Sequence, residues 1–457
     1  MADFENYMSP GRRGHLIGIG GVSMSSLAEV LYDMGLNISG SDTVESKNVQ
    51  NLRKLGVPVH IGHREENVTE DVEFVVRTAA VRDENPEIVA AHNMGIPVFE
   101  RTQAWGTISK DYSNALCISG THGKTTTTSM CTHILMAAEK DPTVMIGGTL
   151  PLLNAGHRIG RGNTIIMEAC EYYNSFLSFF PTIAVILNVE ADHLDFFKDI
   201  DELKRSFRIF ASKVPEDTGY IVANKDDMNT MDAISGIGRK VITFGMSDDA
   251  DVYAENIKYS GTATTFDIYY KKKLFTDVTL HVPGEHNVKN ALAATAASIC
   301  LGIRPNAVKY GLAGFNGAGR RFEFKGKYNG ADVYDDYAHH PGELKALLDT
   351  LEKLDYRRTI IVFQPHTYSR TAALFDDFVE QLKRPDVLLL AEIYAAREQN
   401  TIGISSADLA AKIPESTFYE DFDALENTLR AIARPGDVIF TVGAGNVYKI
   451  GEDLLNN

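Results

Sequence analysis

Residues 117–127 read Cys-Ile-Ser-Gly-Thr-His-Gly-Lys-Thr-Thr-Thr, and that order of types suits the binding of a polyphosphate. Gly120 and Gly123 let backbone N–H groups turn toward phosphate oxygens, Lys124 can reach the β- and γ-phosphates, and the Thr125 hydroxyl can ligate Mg2+. The apolar run Ala115-Leu116-Cys117-Ile118 ends at this loop, and residues 126–138 contain no Gly or Pro. A strand therefore feeds the loop and a helix leaves it with its positive end toward the anion. ATP is the expected ligand. The spacing Gly-x-x-Gly-Lys-Thr is shorter than the common Gly-x4-Gly-Lys-Thr loop, which points away from common GTPases and kinases.

Other chemistry-bearing residues cluster where apolar runs stop. Glu168 ends Thr164–Met167, and Glu190-Ala191-Asp192-His193-Leu194-Asp195 follows the run from Pro181 to Val189. In an open parallel sheet such ends share one edge, so Thr125, Glu168 and His193 are expected to converge on one or two Mg2+ ions. Arg320 and Arg321 follow the glycine-rich Gly314–Gly319, which reads as a hinge. Closure there could bring one of the two guanidiniums onto a transferring phosphoryl group. Near the N-terminus, Gly18-Ile19-Gly20-Gly21-Val22-Ser23 opens a helix and Asp42 ends the next strand. That pattern fits either a nicotinamide dinucleotide or the diphosphate of a UDP-sugar, with Ser23 in place of the third glycine. Polar strand ends at 335–341, 364–370 and 392–398 predict a second substrate site.

The elements that must position these residues alternate. Short β-rich runs (His15–Gly20, Leu36–Ser41, Val72–Thr78, Ile96–Phe99) are separated by helical patterns, as are Asp332–Tyr337, Thr359–Gln364, Val387–Ala391 and Val438–Val442 farther on. Between them, three period-two runs at 254–259, 262–270 and 274–282 predict an antiparallel add-on, followed by an alanine-rich helix Asn287–Cys300. The fold class expected is α/β in three domains: a Rossmann-like unit over 1–107, a P-loop-type ATPase unit with a parallel sheet and the add-on over 108–316, and a second Rossmann-like unit over 317–457.

With 45 basic against 61 acidic residues, the net charge of −16 repels phosphate backbones and anionic lipid, so neither nucleic acid nor membrane is an expected partner. Four scattered cysteines without a C-x-x-C pair fit a reducing cytoplasm, not a zinc knuckle or disulfide framework. No signal peptide or membrane span is expected.

Taken in order, several motifs together resemble the Mur ligase family, the ATP-dependent amide-forming enzymes of peptidoglycan synthesis. They are Gly18–Gly21 with Ser39–Asp42, Gly120–Thr125, Glu168 followed by Asn174–Leu177, Glu190–His193, Gly284–Asn287, Arg320–Phe322, Asp336–Pro341 and Gln364–His366. The resemblance implies UDP-N-acetylmuramate on the first domain, ATP on the second and L-alanine on the third, with an acyl-phosphate intermediate and a monomer or homodimer. It implies sugar-nucleotide contacts from Gly18, Gly20, Gly21, Ser39, Asp42 and Ser175. ATP contacts would come from Gly120, Thr121, His122, Gly123, Lys124, Thr125, Thr126, Asn287 and Arg321, and amino-acid contacts from Tyr337, His339, His366 and Arg370.

Departures from the family pattern occur at Cys170-Glu171-Tyr172-Tyr173, which leaves Glu171 open between metal and sugar, and at Thr78-Ala79-Ala80 on the uracil side. The stretch Lys204–Arg208 has no lysine in the register where later-acting members carry a carbamylated one, which favours the alanine-adding branch. A ligase that attaches a tripeptide to the same sugar nucleotide is the nearest alternative. An NAD-dependent dehydrogenase, a regulatory P-loop ATPase and a non-catalytic nucleotide-binding module are the alternatives of other classes.

Overall fold

Runs that are apolar at every position need cover on both faces, and here they pair side by side into parallel sheets. The computed structural model describes residues 3–78, 81–193, 196–396 and 398–456. Ala79, Ala80, Leu194, Asp195 and Arg397, which belong to three of the segments singled out above, lie outside the described residues.

The first sheet comprises β1 (Arg13–Ile17), β2 (Asn37–Asp42), β3 (Val59–Ile61), β4 (Phe74–Arg77) and β5 (Val98–Glu100), all parallel, in the order β3-β2-β1-β4-β5. The second holds β6 (Asn114–Ser119), β7 (Thr143–Leu150), β8 (Ala155–Arg158), β9 (Thr164–Glu168), β10 (Ile183–Ile186), β11 (Tyr220–Asn224), β12 (Lys240–Gly245), β13 (Val252–Ser260), β14 (Ala263–Tyr270) and β15 (Lys273–Leu280). Its order is β15-β14-β13-β12-β11-β10-β6-β9-β7-β8. The third consists of β16 (Glu323–Tyr328), β17 (Ala331–Asp336), β18 (Arg358–Phe363), β19 (Val387–Ala391), β20 (Thr417–Tyr419) and β21 (Asp437–Val442), ordered β16-β17-β21-β18-β19-β20.

The expected α/β class and antiparallel add-on are present: β13, β14 and β15 form a meander whose first strand pairs parallel with β12. Four strands of the central sheet escaped the sequence reading, namely β7, β8, β11 and β12. β7 carries Gly147-Gly148, which erases its period-two pattern. The strand read as Ile183–Val189 ends at Ile186, because the chain beyond it leaves the ladder to hold the phosphate loop. The helix read as Ala372–Lys383 is two helices, Tyr368–Ala373 and Phe375–Leu382, broken at Leu374 with φ −114° and ψ 26°.

In the central sheet, β10, β6 and β9 are neighbours, so the loop leaving β6 lies between the ends that carry Glu168 and Asn188. No helix among the described residues is long and apolar enough to cross a membrane.

Candidate active site

β6 delivers Ser119 to the sheet edge, and the next turn can be made only with glycine. A Cβ on Gly120 (φ 137°) would lie 2.9 Å from Leu187 Cβ, and one on Gly123 (φ 84°) 2.6 Å from Asn290 Oδ1. The front of the loop is pinned, with Thr121 N–H donating to the Asn188 carbonyl at 3.1 Å and His122 N–H to Asn188 Oδ1 at 2.8 Å. The first-turn N–H groups of the Lys124–Ala137 helix lack intrahelical acceptors and form the anion-facing end.

Lys124 is not the exposed loop residue that its glycine-rich setting implies. It is the first residue of the helix, 13% exposed, and its Nζ donates to the Gly120 carbonyl, to the Thr121 carbonyl at 3.0 Å and to Glu171 Oε2 at 3.0 Å. Burial works against the ammonium, but the charge of Glu171, then those of Cys170 and Glu168, outweigh it and raise its pKa. Glu171, 1% exposed, thus has its contact defined as Lys124.

Thr125 Oγ1 stands 3.0 and 3.1 Å from the two oxygens of Glu168, which also accepts the Gly147 N–H at 2.8 Å. A Cβ at Gly147 would sit 3.0 Å from both carboxylate oxygens, so the glycine lets the backbone close on the acid. A hydroxyl and a carboxylate side by side are the hard oxygen donors that Mg2+ takes together with phosphate oxygens and water. His193 is set farther off. Its Nε2 is 3.7 Å from Glu171 Oε1 and 3.7 Å from Asp192 Oδ2, and its ring stacks on Tyr172. Burial lowers its pKa, which favours the neutral imidazole. Glu171, which it faces, in turn holds Lys124. Among the described residues no group of three or more His, Cys, Asp or Glu side chains is arranged to hold a metal ion.

A cavity of about 370 Å³ opens beside this loop, between the second and third sheets. The central unit contributes His122, Thr125, Thr126, Asn224, Phe244, His286 and Asn287, and the C-terminal unit Arg321, Asp336 and Glu343. Arg321 lies 3.4 Å from Glu343 Oε1 and over the Tyr337 ring. Burial pushes Asp336 up to about 6 even against the Arg321 charge. The adjacent Arg320 is committed to Asp335 at 2.8 Å and to the carbonyls of Gly443 and Gly445. Asn287 lines the cavity, its Nδ2 donating to the Pro283 carbonyl at 2.6 Å. Phe244 and Asn224 were missed because β11 and β12 were. His286 fell inside a recognised motif, and burial lowers it to about 4.

On the third sheet, the Tyr337, His339 and His366 rings form a chain at 5.4 and 5.7 Å, and His366 stacks on Tyr394. Burial, then the charges of His339 and Arg370, push His366 down to about 3. Arg370 is 12% exposed, 3.3 Å from His366 Nδ1 and 3.4 Å from Asp192 Oδ1 of the central unit. Its Nε is buried without a partner. A surface ion pair this is not, since the arginine faces across the domain interface.

The first glycine turn differs from expectation. Gly18 and Ile19 donate to the Ser41 carbonyl at 2.8 and 2.9 Å, Gly20 to Asp42 Oδ2 at 2.8 Å and Gly21 to the Gly18 carbonyl at 3.1 Å. All four N–H groups serve the turn itself, which leaves the first turn of the Val22–Asp33 helix as the place with N–H groups lacking intrahelical acceptors. Ser39 sits inside β2 with its hydroxyl 3.0 Å from His15 Nδ1, away from the strand end. Ser175 donates to the Tyr172 carbonyl at 2.7 Å. Sequence reading also missed buried Glu87 at this edge, which accepts from Ser41 Oγ at 2.6 Å and stands 3.3 Å from His63 Nδ1.

Positive groups from the regions of the second and third sheets meet over one cavity, while the first sheet presents its own glycine turn. This is a layout that suits a nucleotide-dependent ligase. Residues 13–113 match the Mur ligase family catalytic domain, 118–298 the Mur ligase middle domain and 320–445 the Mur ligase glutamate ligase domain. The chain belongs to the Mur ligase family. It is 45% identical over 449 residues to the UDP-N-acetylmuramate--L-alanine ligase of Clostridium novyi, covering 97% of both chains. To the enzyme of the same name from Agathobacter rectalis it is 46% identical, covering 96% of this chain and 97% of that one. Among solved structures it is similar to the UDP-N-acetylmuramate-alanine ligase of Thermotoga maritima, with a TM-score of 0.82 and 28% identity over 97% of this chain and 98% of that one.

Proposed function

We propose that this protein is the ATP-dependent ligase that joins L-alanine to the carboxylate of UDP-N-acetylmuramate in peptidoglycan precursor synthesis. The observation that carries this reading is the opposition of His122, Thr125 and Thr126 on one wall of the cavity to Arg321 on the other, with Lys124 next to Thr125 at the helix start, in a chain similar along its length to ligases of that name. In the proposed reaction a lactyl carboxylate oxygen attacks the γ-phosphorus of ATP and the bond to the bridging oxygen breaks, releasing ADP. The alanine amine then attacks the acyl carbon, and phosphate leaves.

Phosphoryl transfer asks the protein for positioning and charge neutralisation. Gly120, Thr121, His122, Gly123, Thr126 and Asn287 hold the nucleotide, Lys124 neutralises its phosphates and Arg321 closes over the transferred group. Thr125 and Glu168 hold Mg2+, with His193 as the outer member of that set; when bound, the ion offsets charge on the phosphate oxygens. Asp42 and the helix opened by Gly18, Gly20 and Gly21 hold the sugar nucleotide, joined by Ser175. Tyr337, His339, His366 and Arg370 take the amino acid. The units are 1–107, 108–316 and 317–457, the protein works in the cytoplasm, and it is a monomer or homodimer.

Phosphate release with UDP-N-acetylmuramate against single amino acids and the tripeptide tests the assignment. L-alanine is expected to give the fastest release; release driven by the tripeptide alone, or independent of any amino acid, would refute it. Withholding Mg2+ from the same assay tests the ion.

A further inference from the structure

Glu343 is the third residue of the Pro341–Leu351 helix, where a glutamate ordinarily closes a capping box with one oxygen and leaves the other in water. Here the whole carboxylate is enclosed at 11% exposure. Oε2 does the capping work, accepting the N–H groups of His339 and His340 at 2.9 and 3.3 Å, and also lies 3.1 Å from His339 Nδ1. Oε1 has no part in the cap. It points at Arg321 (3.4 Å) and, across the domain interface, at His122 Nδ1 (3.5 Å) of the phosphate loop. Enclosing a lone carboxylate is costly, and three basic partners offset that cost.

Those three partners belong to three tasks: His122 to the nucleotide loop, Arg321 to the transferred phosphoryl group and His339 to the amino acid. We propose that Glu343 is a positioning residue that sets these groups relative to one another, so that ATP and the amino acid are each held well only when the C-terminal unit is seated on the phosphate loop. The inference rests on the functional reading above. A second contact across the same seam supports it: the helix start at Gly342, beside Glu343, packs on the phosphate loop, where a Cβ would be in ordinary contact with Glu190 Oε2 (3.4 Å) and His122 Nε2 (3.6 Å). Glu190 completes the far side of His122 at 3.5 Å, and the His340 ring lies 4.9 Å away. With Glu190, Glu343 and His340 as the charged or titratable neighbours, burial pulls His122 down but the two carboxylates hold it up at about 9. Its cation is therefore present below that pH and lost as pH rises through it.

The test is Glu343→Gln, which keeps an oxygen for the helix cap and the shape of the side chain but removes the charge. Steady-state titrations are expected to show KM for ATP and KM for L-alanine each rising about tenfold with KM for UDP-N-acetylmuramate unchanged. The alkaline rise of KM for ATP should also move to lower pH, because His122 loses one of the anions that hold its proton. A variant with wild-type KM for L-alanine would reduce Glu343 to a helix cap and overturn the proposal.

His122→Gln, which leaves the cap intact, guards against a folding defect. It is expected to raise KM for L-alanine as well as for ATP, and a rise for ATP alone overturns the proposal. Lys124→Ala measured alongside separates the two readings: if it stays active, the functional assignment fails. If it is inactive while Glu343→Gln behaves as wild type, only the positioning role fails.

Discussion

Two glycine turns in this molecule make the same move, strand to helix at the edge of a parallel sheet, and do different things with it. At Gly18–Gly21 every N–H of the turn is consumed internally, by Ser41, Asp42 and Gly18. At Gly120–Lys124 the front of the loop is pinned to Asn188, and the helix start is surrounded by titratable groups, Lys124, Glu168, Glu171 and His122. Glycine permits the turn in both places; the charges around the second set it apart as the turn proposed to handle a reacting phosphate. The first turn can hold a substrate, whereas the second can also stabilise a changing charge distribution, which is what accelerates a reaction.

Removing the lysine breaks the comparison most severely. Lys124→Ala is expected to lose about 2–4 kcal/mol of transition-state stabilisation, as for loss of an oxyanion donor. It also strands the buried Glu171 and should lower the melting temperature. Lys124→Ala combined with Glu171→Gln removes that unpaired charge, so a folded, inactive double variant in circular dichroism and phosphate-release assays isolates the chemical role. Ligation at half the wild-type rate or better would equate the two turns.

Arg370→Ala probes the third sheet, where a charge-assisted contact to the α-carboxylate is expected to contribute about 1.5–3 kcal/mol. KM for L-alanine should rise while those for ATP and UDP-N-acetylmuramate stay close to wild type. An equal rise in all three would assign Arg370 to its interdomain contact with Asp192 instead.

Glu168→Ala should shift the magnesium titration of acyl-phosphate formation to about tenfold higher concentration, through loss of a ligand beside Thr125. Overlaid titrations would leave Glu168 only the task of holding Gly147 in place.

The gentlest change falls on the first turn. Asp42→Asn weakens the acceptor of the Gly20 N–H without emptying the site and should cost about 1 kcal/mol in binding UDP-N-acetylmuramate, seen as a higher KM at unchanged kcat. A fall in kcat with constant KM would place the first turn in the chemistry and erase the distinction.

What was legible in the chain follows from contiguity. Gly120, Gly123, Lys124 and Thr125 announce themselves because the conformation each needs and the group each presents lie within a few residues. Glu168 was found as the polar residue that stops an apolar run, and its pairing with Thr125 follows from neighbouring parallel strands. Of the four strands missed in the central sheet, one was unreadable for a local reason, the glycines in β7. β11 and β12 lie between β10 and β13 and pair parallel with their neighbours, a placement that the sheet order decides. The break at Leu374 likewise belongs to packing, since nothing in Tyr368–Leu382 is a glycine or proline.

The sequence by itself determined the α/β alternation, the phosphate loop and the polar strand ends, because backbone preferences and the alternation of buried and exposed positions act over a few residues. Only the tertiary structure decided that Lys124 rests on Glu171, that the Gly18–Gly21 amides are already used, that Arg370 faces Asp192, and that Glu343 reaches His122 from another domain. Those pairings depend on sheet order and on how two domains seat against each other. No local rule in the chain encodes a distance across such an interface, yet it is at that distance that buried charges hold one another's protonation states.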